Sequence, residues 1–405
     1  MSQDSHIILP EEQIQKETTT LNLGPTHPAT HGIFQNVLEI DGEFVLEAEQ
    51  TLGYIHRAFE KIAERRPYYQ ITPLTDRLNY CSAPINNIGW HLTIEKLIGL
   101  EIPKRVDYLR VIIMELARIG DHLVCNSVIG VDTGALTAFT YVFQWRERIY
   151  EIFEEVCGSR LTTNIGRIGG FERNFTPAAW EKLNDFIDTL PGAMKEFETL
   201  LNRNRIFMER TQGAGPLSAE RALNYSVTGP NLRAAGIDYD VRVAKPYCSY
   251  QDFDFKIPIG TTGDVYDRYM VRNAEIWESL SIIKQAREKL KTMDDSIYHA
   301  DVPEYYLPEK KLVYTTMEAL IWHFKIVMGE IEIPKGEIYN AVEGGNGELG
   351  FYLISDGGRS PYRLHFRRPC FIYYQAFTEI IKGGLLSDAI VTLSSLNVIA
   401  GELDA

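Results

Sequence analysis

Apolar and polar positions alternate from residue 18 onward, and that alternation predicts strands. Residues 18–23 form one such run, and 33–40 followed by 44–48 across Asp41-Gly42 predict an antiparallel hairpin. Between them lies Gly24-Pro25-Thr26-His27-Pro28-Ala29-Thr30-His31-Gly32. Two prolines and two glycines in nine residues exclude regular structure, so both histidines ride on a loop joining two strands. From residue 52 the period becomes helical, predicting helices over 52–66, 76–100, 103–128 (proline in its first turn), 137–156 and 176–200. Leu109, Ile112, Ile113, Leu116, Ile119 and Leu123 trace one stripe of the third. A glycine- and proline-bearing stretch over 213–230 precedes a long helix over 264–293. Strands return at 338–342, 349–354 and 362–366, with helices at 315–328 and 370–381.

This order predicts an α+β fold. An extension (1–17) precedes an N-terminal β domain carrying the histidine loop (18–50). A central helical bundle (51–300) follows, then a C-terminal α+β region (301–405) that packs back on the core. No internal repeat or low-complexity tract is visible.

Composition narrows the function. With 45% hydrophobic and 24% charged residues among 405, the chain is of the folded, core-forming kind. Acidic residues exceed basic ones by 14, which argues against a nucleic-acid partner. The run 78–94, free of Asp, Glu, Lys and Arg, contains three Asn, one His and a Pro, and will not span a bilayer. The first residues lack the basic start and apolar centre of a secretory signal, so a cytoplasmic location is expected. Five cysteines, at 81, 125, 157, 248 and 370, form no CxxC pair, which disfavours structural disulfides and a zinc knuckle.

Each candidate site has a plainer reading beside it. Residues 345–350 match GxGxxG, but a strand pattern follows where a dinucleotide site needs a helix, so a glycine-rich hairpin is expected. His27 and His31 are four apart, yet on a proline-containing loop that spacing imposes no metal-binding face. His91, His122 and His323 fall in helical stretches and read as buried or half-buried structural histidines. Arg77, Tyr80 and Cys81 sit at a loop-to-helix boundary where Asp76 is a plausible cap. Asp132 interrupts a nearly uncharged stretch and needs a partner, either a helix N-terminus or a cation. Residue types and spacing stop there, with no reaction.

The motifs GPTHPATHG, LGYIHRAFEKIAE, DRLNY, RVIIMELARIGDHL, GVDTGALT, GSRLTTNIGRIGG, GDVYDRYMVR and GELGFYLISDGGRSPYRLHFRRPCF occur in this order. In them the chain resembles, from about residue 21 onward, the large quinone-site subunit (the D subunit) of the proton-pumping NADH:quinone oxidoreductases, respiratory complex I. That family is similar in fold to the large subunit of nickel–iron hydrogenases, which hold their metals with two CxxC pairs. Such pairs are missing here, and single cysteines at 81 and 370 cannot supply four thiolates, so hydrogenase chemistry is excluded.

The resemblance implies that His31 and Tyr80 bind the quinone headgroup, that Asp132 is the acid linked to the histidine, and that a nearby carboxylate favours imidazolium. It places Arg57 and Thr162 near a tetranuclear iron–sulfur cluster held by an adjacent subunit. Quinone is then the substrate, and this chain holds no metal or cofactor of its own. Expected partners are the small iron–sulfur B subunit, the C subunit and the membrane H subunit of the quinone channel, with the chain peripheral on the cytoplasmic side of the bacterial membrane. A related membrane complex fed by ferredoxin or a deazaflavin shares the same motifs. Thr162 stands where many relatives have histidine, and Ile168 where proline is usual. That departure points to a cluster of lower, weakly pH-dependent potential and to menaquinone as acceptor.

Overall fold

The computed structural model describes residues 18–405; the expected extension 1–17 lies outside the described residues. Strands β1 (Thr19–Leu23), β2 (Gln35–Asp41) and β3 (Phe44–Thr51) form an antiparallel sheet in that order. Asp41 pairs with Phe44 across the Gly42-Glu43 turn, as the sequence predicts. Leu23, Leu38 and Val45 carry its apolar face inward.

Five long helices follow: α1 (Ala83–Ile98), α2 (Lys104–Asp132), α3 (Leu136–Cys157), α4 (Pro177–Leu201) and α5 (Val265–Leu290). Helix α2 is the axis, packed along α5 and α3. Its predicted stripe is buried, but so are Arg110, Glu115, Arg118, Asp121 and His122 on its other faces. These polar groups are paired inside the bundle. Glu115 accepts from Tyr250 and Ser279 at 2.6 Å each and pairs with Arg118 and Arg242. Glu275 bridges Arg233 and His122 at 2.7 Å each.

Two helix predictions before α2 are corrected. The helix expected over 52–66 shrinks to Phe59–Ala63. The backbone turns left-handed at Gly53 (φ 103°) and again at Ala58 (φ 56°), which interrupts a helix, and the Asp404 carboxylate holds the strip between them by accepting from the amides of Gly53 (3.0 Å) and Ile55 (3.1 Å). The helix expected over 76–100 begins only at Ala83. An unpredicted helix, Tyr68–Thr75, precedes it despite Pro73 in its interior, and Tyr80–Ser82 forms a 3₁₀ turn. Asp76 is the C-terminal cap of the first of these helices and not an N-terminal one; Asn79 caps the 3₁₀ turn, accepting from the Cys81 amide at 3.1 Å.

After a two-residue ribbon, β4 (Gly166–Arg167) and β5 (Gly170–Phe171), the third sheet is β6 (Gly336–Gly344), β7 (Gly347–Ser355) and β8 (Arg363–Arg367). Gly344 pairs with Gly347, so the GxGxxG stretch is the tip of a hairpin, as its strand context predicted. The sheet lies on α1 at Gly89, where an added Cβ would sit 2.8 Å from Phe351. The helix expected over 370–381 is two, Pro369–Tyr374 and Phe377–Ile381; Leu386–Leu396 and Ala400–Leu403 follow. Val45 exchanges backbone hydrogen bonds with Gly383 and Gly384, tying the N-terminal sheet to the C-terminal helices over a shared apolar cluster. Among the described residues, no helix is long and apolar enough to cross a membrane.

Candidate functional site

The histidine loop is built by local hydrogen bonding. His27 caps the Pro28–Thr30 turn, its Nδ1 accepting from the Ala29 amide at 3.1 Å, while Thr30 Oγ1 donates to the His27 carbonyl at 2.8 Å. Gly24 is required beneath: at φ +94° its Cβ would lie 2.5 Å from Thr30 Oγ1 and from the Phe34 carbonyl. The turn ends at His31 in the left-handed region, φ 52°. This directs the ring away from the turn, edge-on to Phe34 at 6.1 Å. Phe34 is buried and meets Tyr374 at 5.3 Å, so His31 stands on a rigid base. The His31 side chain is open on one side, yet the protein behind it removes enough water to lower its pKa. Burial is the cause of that shift, with no opposing carboxylate among the described residues, and it favours neutral imidazole.

Tyr80 leaves the turn that Asn79 caps and packs on the same apolar cluster as Ala29 and Ile33 of the histidine loop. Its hydroxyl has no hydrogen bond to any described residue. Burial, reinforced by the Cys81 and Cys370 thiols and the Asp121 carboxylate, pushes its pKa up to about 12. Tyr80 is therefore a phenol with a free proton to donate.

Behind Tyr80 lies a closed polar cluster. Asp121 accepts from Asn79 (2.7 Å), Ser82 (3.0 Å) and Asn397 (3.0 Å). Glu402 accepts from Cys370 (2.9 Å) and Asn346 (3.2 Å). Gly401 presses on the turn, where an added Cβ would lie 2.3 Å from the Arg77 carbonyl and 2.7 Å from that of Leu78. The Tyr80 turn and the C-terminal tail thus meet, and side-chain hydrogen bonds fill the space between them. Burial also keeps Cys81 and Cys370 as thiols. These residues do not fit a nickel–iron centre, and among the described residues no group of three or more His, Cys, Asp or Glu is placed to hold a metal.

Asp132 is the last residue of α2, at the negative end of the helix. Its partner is neither of the two expected: Ser394 Oγ donates to it from the helix Leu386–Leu396. Burial raises its pKa, against that hydrogen bond and the influence of His27. The helix bearing Ser394 packs on the Pro28–Thr30 turn, which brings Asp132 to the histidine loop. His27 is the histidine whose charge reaches Asp132, and no hydrogen bond joins His31, Tyr80 and Asp132 among the described residues.

Arg57 is exposed on the strip that Asp404 pins. Thr162 lies in a loop fastened to the Tyr80 turn by Asp76, whose buried carboxylate accepts from the Asn164 amide at 2.6 Å and from Asn87 at 3.0 Å. Asp76, Asp404 and Ser394 were missed as site-building residues, and nothing in their local sequence marks them. His91 is buried and bonded to Thr72 at 3.1 Å, and His122 is buried against Glu275, matching their structural reading. His323, half-buried, lines a cavity of about 1460 Å³ that none of the five candidate residues borders.

Residues 132–405 match the family described as the 49 kDa subunit of respiratory-chain NADH dehydrogenase. The chain is 70% identical over 387 residues to the NADH-quinone oxidoreductase D 2 subunit of Cytophaga hutchinsonii, covering 96% of this chain and 98% of that one. It is also 70% identical to the NADH-quinone oxidoreductase D subunit of Flavobacterium johnsoniae (96% and 94%). The C/D subunit of the Bdellovibrio bacteriovorus oxidoreductase is 44% identical over 98% of this chain and 70% of its own length.

Proposed function

The chain belongs to the family of the 49 kDa subunit of respiratory-chain NADH dehydrogenase, the D subunit of NADH-quinone oxidoreductase, and from that membership we propose that it forms the quinone headgroup site. Quinone is its substrate. The observation that carries the reading is Tyr80: a phenol held protonated, with no internal partner, on the apolar cluster that supports the histidine loop. Reducing a quinone to a quinol adds two electrons and two protons. Tyr80 hydrogen-bonds one carbonyl, neutral His31 donates one N–H to the other, and Asp132, whose pKa burial raises, is the acid linked to the histidine loop. The names of the relatives favour NADH over ferredoxin or a deazaflavin as donor.

Electrons then come from a tetranuclear cluster in the small B subunit, beside Arg57 and Thr162, with menaquinone as acceptor and the H subunit supplying the membrane part of the quinone channel. Fusion of C to D in a relative supports contact with the C subunit. The chain is peripheral to the membrane on its cytoplasmic face, and quinone reduction drives proton translocation. Tyr80→Phe in the purified complex keeps the aromatic wall and removes the donor. Quinone reduction is expected to fall about 10²-fold, while NADH oxidation with an artificial acceptor persists. Unchanged quinone reduction would refute the assignment.

A further inference from the structure

A cation whose charge reaches Tyr80 has no ion-pair partner among the described residues. Arg146, on α3, is half-buried with its guanidinium carbon 5.2 Å from the Phe143 ring centre and 4.8 Å from that of Tyr150. Its Nε is buried without an acceptor, and no described residue hydrogen-bonds or ion-pairs with it. Nearby arginines are paired: Arg148 with Asp185 at 2.9 Å, and Arg160 with Glu147. The Arg146 charge is felt at Tyr80, Cys81 and Tyr150. All three are neutral, and the Tyr150 hydroxyl is itself buried without a partner. Asp121, the carboxylate that reaches all three, already accepts from three donors, and Glu147, which also reaches Tyr150, is paired with Arg160.

A guanidinium stays charged throughout the working pH range. Removing water from one edge of it without supplying an anion is unfavourable, and an incoming anion recovers that loss. The Phe143 and Tyr150 rings hold the guanidinium by its faces, which leaves its N–H edge as the part that can receive an anion. We propose that Arg146 is the anion-receiving residue of the Tyr80 site, holding a negatively charged oxygen of a quinone-type headgroup. Such charge is present in a hydroxyquinone anion, and it develops on a quinone oxygen whenever an electron from NADH arrives ahead of its proton. The inference rests on headgroup binding at Tyr80.

The test uses the purified complex and two competitive ligands: a 2-hydroxynaphthoquinone, anionic at neutral pH, and its uncharged methyl ether. Arg146→Gln is expected to weaken inhibition by the hydroxy compound about tenfold or more and to leave the ether unchanged, with Arg146→Lys recovering most of the difference. Equal loss for both compounds, or for neither, overturns the proposal. Loss of a neighbouring subunit on purification with inhibition intact also overturns it, because Arg146 then pairs with a protein carboxylate. If Tyr80→Phe alters inhibition by neither compound, the headgroup reading itself fails and takes the proposal with it.

Discussion

Gly401→Ala tests whether the Tyr80 turn is positioned by the C-terminal helix Ala400–Leu403. The new Cβ would lie 2.3 Å from the Arg77 carbonyl oxygen and 2.7 Å from that of Leu78. Both are backbone atoms, so no side-chain rotation relieves the clash. Restoring ordinary contact near 3.4 Å requires an opening of about 1.1 Å between the helix and the turn. Overpacking of this kind costs about 1–3 kcal/mol, which a large core tolerates. A displacement of about 1 Å at a positioned donor, by contrast, lowers a rate by about 10²-fold. The expected result is therefore a chain that still assembles, with quinone reduction down about 10²-fold and NADH oxidation by an artificial acceptor retained. Gly192→Ala is the control: it lies in α4 with nothing within 4 Å of the new Cβ, and gains about 0.5–1 kcal/mol of helix propensity. Quinone reduction at the control's level in a fully assembled Gly401→Ala complex would refute the positioning argument.

Asp404→Ala removes the acceptor of the Gly53 and Ile55 amides. Since both residues are exposed, water replaces part of each charge-assisted bond, and a net loss of about 1–3 kcal/mol is expected; faster amide exchange confined to residues 53–57 in the assembled complex checks it. Glu275→Gln leaves Arg233 with Glu343 and Asp240 but removes the carboxylate shared with His122. Breaking a buried ion pair from one side costs about 3–5 kcal/mol, so the variant should melt well below the wild type in the complex, and an unchanged melting temperature would show that the network relaxes freely.

Periodicity revealed what is repeated locally. The strands, the α2 stripe and the hairpin at Gly345 were legible because each follows from neighbouring residues. The missing helix over 52–58 was not, because Asp404, some 350 positions away, holds the amides of Gly53 and Ile55 in an irregular strip. Asp132 was legible as a carboxylate in need of a partner. Its partner was not, because Ser394 is an ordinary serine until the fold brings Leu386–Leu396 against the end of α2. The pairing of His31 with Tyr80 came only from resemblance to a family. Arg146 carries no sequence signal either: what distinguishes it is the lack of a counter-charge, visible only in three dimensions.

Thr162 does not titrate, which on sequence alone suggests that the cluster proposed to lie beside it takes up no proton on reduction. The fold supplies another candidate, fastened to the same loop. Asp76 is fully buried; burial raises its pKa from 3.8 to about 7, against the hydrogen bonds from Asn164 and Asn87 and the charges of Arg77 and Arg167. That shift of about 3 units corresponds to about 4 kcal/mol favouring the protonated form in the folded state. It stabilises the fold fully below pH 3.8 and is lost as pH rises through about 7. An electron arriving on a cluster beside this loop adds negative charge and raises the pKa further, so proton uptake accompanies reduction from about pH 7 upward. The midpoint potential should then be level at lower pH and fall by roughly 59 mV per pH unit above it, and Asp76→Asn should flatten the slope. Electron paramagnetic resonance titration of the cluster at several pH values measures this. A slope that survives in Asp76→Asn would exclude Asp76 as the carrier. A level line in the wild type would mean that Thr162 has removed the coupled proton altogether, leaving a low-potential cluster suited to menaquinone.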